Sequence, residues 1–445
     1  MFIVAGAAIG TWTARIPAIM HGLAMSDGQL SIALVVLAAG GLAGMGGSGR
    51  LVDRFGSRQV LAPAMALVGG ALVGLAYAPT LPTLLGALFV FGAIHGTLNV
   101  AMNAHAVECQ RAYGRPIMTS FHAFFSIGGV VGALTGGAFA HAGHGPAATF
   151  LTIGAASTML AVAAIRWALP SESPKSTQQR PSLVDASPPT SRFPWPQVLL
   201  LGLLAFCSLT SEGAAADWGS MYLHDSLGSS SATAAAAYAV FAATMTIGRL
   251  TGDRLLARLG PVRLLRASSL IAALGLAAGL LAHHPVAALA GFAVLGAGLS
   301  CVVPQVYSAA GTLNGEHTGR ILSYVAALGY LGFVGGPALI GGLADLVGLA
   351  RAMFILPMLL LIIAATASVV HRPRSAHQQP RGLHASDAGT VDQRETPIRH
   401  RPRPPARPAQ TADPTGPAVP SPAVARRSHE RSIRAARDVH RLLAS

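Results

Sequence analysis

Apolar runs about 20 residues long, the length that crosses a hydrocarbon core as a helix, recur twelve times between residues 2 and 370. They fall near 2–21, 29–48, 60–78, 83–106, 120–141 and 146–168, and again near 197–217, 232–250, 264–282, 286–311, 320–343 and 348–370. No soluble core calls for such a series, and a cleaved signal peptide accounts for one run at most. Lipid offers a peptide group no partner, so each run must satisfy its own backbone as a helix. The predicted class is an all-α membrane protein with twelve transmembrane helices. Composition agrees: 11% of the residues are charged, where a soluble domain carries about one quarter.

The two sets of runs are separated by Pro170 to Pro196, a stretch rich in Ser, Pro and Gln that reads as a flexible linker. The expected organisation is an N-terminal bundle over 1–169, a cytoplasmic linker over 170–196, a C-terminal bundle over 197–371 and a basic cytoplasmic tail over 372–445. The tail is rich in Pro and Arg and poor in apolar residues, so it is expected to be disordered. It also explains the net charge of +14, because fourteen of the 31 basic residues follow His371. No folded binding module accompanies that charge, so no nucleic-acid partner is expected. The end of the tail, "RSIRAARDVHRLL", spaces Ile433, Ala436, Val439 and Leu443 helically among arginines. That pattern suits an anionic leaflet surface or plain solvation.

Loop charge sets the topology. Counted with the loop at 49–59, one side holds Arg50, Arg54, Arg58, Arg111, Arg115, Arg166, Lys175, Arg180, Arg192, Arg249, Arg254, Arg258, Arg263, Arg266 and Arg320. The other side holds only Arg15 and Arg351. Fifteen against two places the first side, and with it both termini, in the cytoplasm.

The halves repeat each other. "GGVVGALTGG" from Gly128 and "GFVGGPALIGG" from Gly332 align at an offset of 204, which sets Gly128, Gly132 and Gly137 on Gly332, Gly336 and Gly341. Gly92 and Ala93 fall on Gly296 and Ala297 at the same offset. Glycines at such spacing let helices approach closely. Duplicated halves are how many transporters build two units around a central site.

Enzyme chemistry lacks its parts. The sequence contains no HExxH, GxSxG or Walker loop, and its cysteines, Cys109, Cys207 and Cys301, stand far apart in or beside apolar segments. They read as packing residues. No metal, cofactor or catalytic residue is expected.

"GRLVDRFGSR" from Gly49 resembles the signature of the major facilitator superfamily between its second and third helices, with Gly49, Leu51, Asp53, Arg54, Gly56 and Arg58 matching. "GRLTGDRLLARLG" repeats it loosely, keeping Gly248, Leu250, Asp253, Arg254 and Gly260 with one extra residue before Asp253. "GTWTARIPAI", "NVAMNAHAVECQRAYGRPIMTSFHAFFSIGG" and "SEGAAADWGSMYL" are similar to the MosC-like branch of that superfamily. The resemblance covers about residues 2 to 370. It implies two pseudo-symmetric six-helix bundles, a cavity lined by helices 1, 4, 7 and 10, and alternating access. The fourth span lacks the buried arginine motif of proton-coupled drug exporters, which disfavours a drug/proton antiporter.

Polar residues then acquire expected roles. A carboxylate beside the exposed N–H groups of a helix start is stabilised by the macrodipole, so Asp53 is a candidate latch. The resemblance implies that it holds the two bundles together on the cytoplasmic side. Charges at membrane depth need a partner or water, which singles out Arg15 in span 1 with Glu212 and Asp217 toward the outer end of span 7. Glu212 or Asp217 is the expected proton carrier and Arg15 a substrate anchor; a plain ion pair at the outer rim is the alternative. His95, Asn99 and Asn103 recur every four residues on one face of span 4, with His105 nearby. Gln305 and Tyr307 follow Pro304 in span 10. These are expected to line the cavity, with interhelical bonding as the alternative. His122, Tyr324 and Tyr330 suit packing or ligand contact equally, and Glu108 with Arg111 and Arg115 reads as an ion cluster.

The expected function is a proton-linked secondary transporter of a small polar solute, a monomer in the plasma membrane in contact with lipids. A uniporter or a non-transporting sensor on the same fold remains open, and a multi-span membrane enzyme is the weakest alternative.

Overall fold

The structure, a computed structural model, describes residues 1–165 and 193–371. Most of the predicted linker and the whole of the tail, with its amphipathic end, lie outside the described residues. Twelve helical stretches among the described residues are long and apolar enough to cross a membrane. In the first half these are α1 (Phe2–Gly22), α2 (Asp27–Phe55), α3 (Ser57–Ala76), α4 (Leu81–Tyr113), α5 (Met118–His141) and α6 (Pro146–Ile165). The second half runs through α7 (Trp195–Met221), α8 (Ser231–Leu259), α9 (Pro261–Leu281), α10 (Pro285–Leu299), α11 (Val302–Leu313), α12 (Thr318–Val347), α13 (Leu349–Ala352) and α14 (Ile355–Thr366).

Span ten is therefore broken into α10 and α11, because Pro304 has no N–H to offer the carbonyl four residues back at Ser300. Elsewhere local chemistry fixes the helix starts. Ser26 and Gln29 close a capping box on α2, and Thr80 with Thr83 does the same for α4.

Helices α1 to α6 form one six-helix bundle and α7 to α14 the other. Within the first, α5 packs on α1 and α4 on α2; within the second, α12 packs on α7 and α10 on α8. The repeated glycines make these pairings. A side chain on Gly128 or Gly132 would strike the α1 backbone at Ile3 or Ala7, and one on Gly332 or Gly336 would strike α7 at Phe206 or Thr210. Gly92 and Gly296 likewise sit on the backbones of Leu37 and Phe241. The third pair departs from this symmetry: Gly137 faces open space, while Gly341 faces Trp218.

Several helices overrun their apolar stretch. The segment around Arg50 to Arg58 was expected as a loop, yet α2 continues to Phe55 and turns only at Gly56, where φ is +89°. Nothing between Gly49 and Phe55 breaks a helix, and Gly56 is the first residue able to take that backbone at no steric cost. Gly260 ends α8 in the same way, with φ +76°. Asp53 thus rides on the last turn of α2, and Asp253 sits one turn before the last turn of α8. The end of the molecule carrying the Gly56 and Gly260 turns is called the near end below, and the opposite one the far end.

Candidate functional site

The bundles are tied to each other at the near end by two carboxylates. Asp53 accepts hydrogen bonds from the backbone N–H of Gly319 at 2.6 Å and of Arg320 at 3.2 Å, and from Arg320 Nε at 3.0 Å. Those two amides belong to the first turn of α12, where N–H groups lack helical partners and the macrodipole is positive. In the other direction, Asp253 accepts from the N–H of Thr119 at 3.0 Å, the N–H of Ser120 at 2.8 Å and the Ser120 hydroxyl at 2.5 Å. These lie in the first turn of α5. Each half therefore caps a helix start of the other half.

Close backbone approach makes the first latch possible. A Cβ on Gly49 would lie 2.7 Å from Ser323 Cβ and 2.9 Å from Arg320 Cα, and one on Gly319 would lie 2.8 Å from Asp53 Oδ1. In the second latch the intimate glycine is Gly252, whose added Cβ would lie 2.6 Å from Thr119 Cγ2. Gly248, expected as the counterpart of Gly49, instead faces Ser300 in its own half. Arg54 is exposed and lies over the Phe55 ring at 5.2 Å, while Arg254 is exposed on α8. Arg58 is half-buried at the start of α3. None of these three joins the Asp53 or Asp253 hydrogen bonds given above.

Further bonds seal the same end. Gln110 Nε2 donates to Ser308 Oγ at 2.7 Å, Arg111 donates to the Gly311 carbonyl, and Ser323 Oγ donates to the Met45 carbonyl at 2.5 Å. The expected cluster of Glu108 with Arg111 and Arg115 does not form. Glu108 instead accepts from Ser57 Oγ at 2.7 Å and pairs with His105 at 3.3 Å, because α4 turns it toward the start of α3.

Deeper in, four residues meet across the halves. Asn103 donates to the Asn99 carbonyl at 2.9 Å, His122 Nε2 donates to Asn103 Oδ1 at 3.2 Å, and Tyr307 hydroxyl donates to Asn99 Oδ1 at 3.5 Å. The His122 and Tyr307 rings stack at 5.9 Å. His95 stands one turn toward the far end, its Nδ1 buried and without a partner. Gln305 was expected with this group but is separated from it. Two residues from Tyr307 on one helix, it points the other way. It lines a near-end pocket of about 340 Å³ with Pro116, Leu256 and Ser308.

The expected meeting of Arg15 with Glu212 and Asp217 is not present. Arg15 is buried, and its guanidinium donates to the Gly136 and His144 carbonyls, at the far end of α5 and in the turn after it. A cation there complements the negative end of the helix. Glu212 stands mid-way along α7, deeper than expected, and pairs with Arg249 at 3.7 Å. Asp217 is exposed nearer the far end and takes part in neither pairing. Arg249, counted in the sequence among loop arginines, lies buried in α8, and its Nη1 donates to Ser126 Oγ of α5 at 2.6 Å. Its place four residues before Asp253, on the same helix face, is the signal that sequence reading passed over. Tyr324 meets the Trp195 ring at a tilt, centroids 5.1 Å apart, and Tyr330 lies against Gly41, so both pack.

Known proteins resemble this chain in sequence and in fold. The family model of the Major Facilitator Superfamily matches residues 1–313 and 201–427. An uncharacterised MFS-type transporter of Yersinia pestis is 33% identical over 371 residues, 83% of this chain and 94% of that one. The membrane protein MosC of Rhizobium meliloti is 30% identical over 382 residues, 85% of this chain and 90% of its own. Among solved structures, the transporter FucP in the outward conformation superposes with a TM-score of 0.68 at 16% identity, covering 84% of this chain and 97% of that one. The chain belongs to the major facilitator superfamily of membrane transporters, in the branch that includes MosC.

Proposed function

We propose that the protein moves a small polar solute across the plasma membrane by alternating access, drives it with protons, and works as a monomer surrounded by lipid. The observation that carries this reading is the reciprocal pair of latches. Asp53 on α12 and Asp253 on α5 close the near end, whereas among the described residues Arg15, at the far end of its bundle, donates within its own half. A molecule shut at one end by breakable polar contacts has the form of one state of a two-state carrier. The arginine excess of the near end supports a cytoplasmic assignment for it, with both termini on that side.

The solute would be held at the junction of Asn99, Asn103, His122 and Tyr307, with His95 one turn farther out. Amides, an imidazole and a phenol can pair with hydroxyl or amide groups without demanding a charge. Glu212 and Asp217 are the carboxylates at membrane depth on α7 and would take the proton; Arg15 holds α5 and does not touch the solute.

The test is flux in proteoliposomes, after a thermal-shift screen has supplied a binding solute. An imposed proton gradient should drive accumulation, and Glu212→Gln or Asp217→Asn should remove that drive while solute exchange continues. Solute movement indifferent to protons would establish a uniporter. No flux under any gradient would establish a sensor.

A further inference from the structure

The Glu212–Arg249 pair has a feature that proton carriage alone does not require. Arg249 is 8% exposed and sits on α8 between two partners in different bundles: Glu212 of α7 at 3.7 Å and Ser126 of α5 at 2.6 Å. One turn along the same face, Asp253 grips the first turn of α5. Helix α8 therefore holds α5 at two points, and the one farther from the near end depends on a charge whose carboxylate partner, Glu212, is a quarter exposed. The remaining buried nitrogen of Arg249, Nε, has no partner.

We infer that Arg249 is the positioning residue that transmits the protonation state of Glu212 to the near-end gate. A proton arriving from water at the far end adds to the Glu212 carboxylate and cancels its charge. Arg249 is then a buried guanidinium left with one hydroxyl. A buried charge without a counter-charge is costly, and the nearest relief is water, which reaches Arg249 if α8 and α5 part at the near end. Protonation thus favours near-end opening, and deprotonation restores the pair and the closed gate.

Other groups near the pair are Asp217 on α7, Tyr238 and Asp253 on α8, His122 on α5 and Cys301 at the α10–α11 break. Tyr307 of α11 is engaged with Asn99, and Tyr330 of α12 is turned to Gly41. Helix α14 brings no titratable residue. Among the salt bridges found in the described residues, Arg249 is the cation that joins an α7 carboxylate to the opposite bundle.

This inference rests on the proton-linked reading, and one experiment separates the two. Spin labels at Arg115→Cys and Arg258→Cys, both exposed near-end positions, report the α5–α8 separation in nanodiscs, with Cys109, Cys207 and Cys301 replaced. For the unmodified gate, the long-distance population should grow as pH falls from alkaline to mildly acidic. In Glu212→Gln the open population at alkaline pH should rise about tenfold and ignore pH, a smaller effect than for a fully buried pair because Glu212 is partly solvated. In Glu212→Gln with Arg249→Gln, both charges are gone, so the gate should close again and stay indifferent to pH. Retention of the pH response in Arg249→Gln would overturn the relay while leaving proton coupling intact, as would a closed gate in Glu212→Gln. A gate indifferent to pH with Glu212 and Arg249 both in place would overturn the proton-linked reading and the relay together.

Discussion

Replacing Asp53 by Asn removes one charge and almost no volume, so it tests the latch with little effect on packing. The carboxylate accepts two backbone N–H groups and the Arg320 Nε, and its side chain is 12% exposed. An amide keeps one acceptor and turns its NH2 toward a donor, so at least one bond to the α12 start is lost and the others weaken. Hydrogen bonds to a charged group contribute about 1.5–3 kcal/mol each. The Arg320 side chain is 36% exposed, and a screened pair of that kind adds less than about 1 kcal/mol. The near-end-closed state should therefore lose roughly 3 kcal/mol, enough to turn a preference of about 99 to 1 into a nearly even mixture. Hydrogen exchange reads this directly. The amides of Gly319 and Arg320 should lose protection by roughly two orders of magnitude in Asp53→Asn. Those of Thr119 and Ser120 should follow if the end opens as a unit. Solute flux should slow, because a carrier that dwells in one state returns late. Unchanged protection together with undiminished flux would refute the reasoning.

Two further changes probe neighbouring claims. Gly49→Leu places a side chain where even a Cβ would lie 2.7 Å from Ser323; the protein should fold and insert, yet show an unprotected α12 start and no flux, and a protected α12 start would contradict the close-approach argument. Arg15→Met removes donors from the Gly136 and His144 carbonyls, which should cost roughly 1–3 kcal/mol of stability. It should lower Tm with solute affinity unchanged; lost affinity at constant Tm would return Arg15 to the binding site.

The relation between the two latches shows how far a repeat can be read from letters. The core glycines repeat at an offset of 204, and so do the turn glycines, Gly56 and Gly260. The latch carboxylates, Asp53 and Asp253, repeat at 200, as do the helix starts they cap, Met118 and Thr318. Four residues are one helical turn, about 6 Å, so the second latch is set one turn deeper on both of its sides. Sequence alignment sees a degraded copy of a motif. The structure shows the same contact preserved by two compensating one-turn shifts.

Much about this protein was fixed by one-dimensional chemistry. Spans follow from apolar length, close helix approach from glycine spacing, and the turn that ends α2 from the glycine at position 56. Each of these depends on residues close together in the chain, where a periodicity of 3.6 or a local turn is sufficient cause. What the sequence misplaced were partnerships between distant spans: Arg15 with the α5 carbonyls, Glu108 with Ser57 and His105, Gln305 on the wrong face of α11, and Arg249 between Glu212 and Ser126. A charge at membrane depth announces that it needs a partner, since lipid supplies none. Which partner it finds is settled by how helices rotate and slide against each other, and that is decided by packing across the whole bundle.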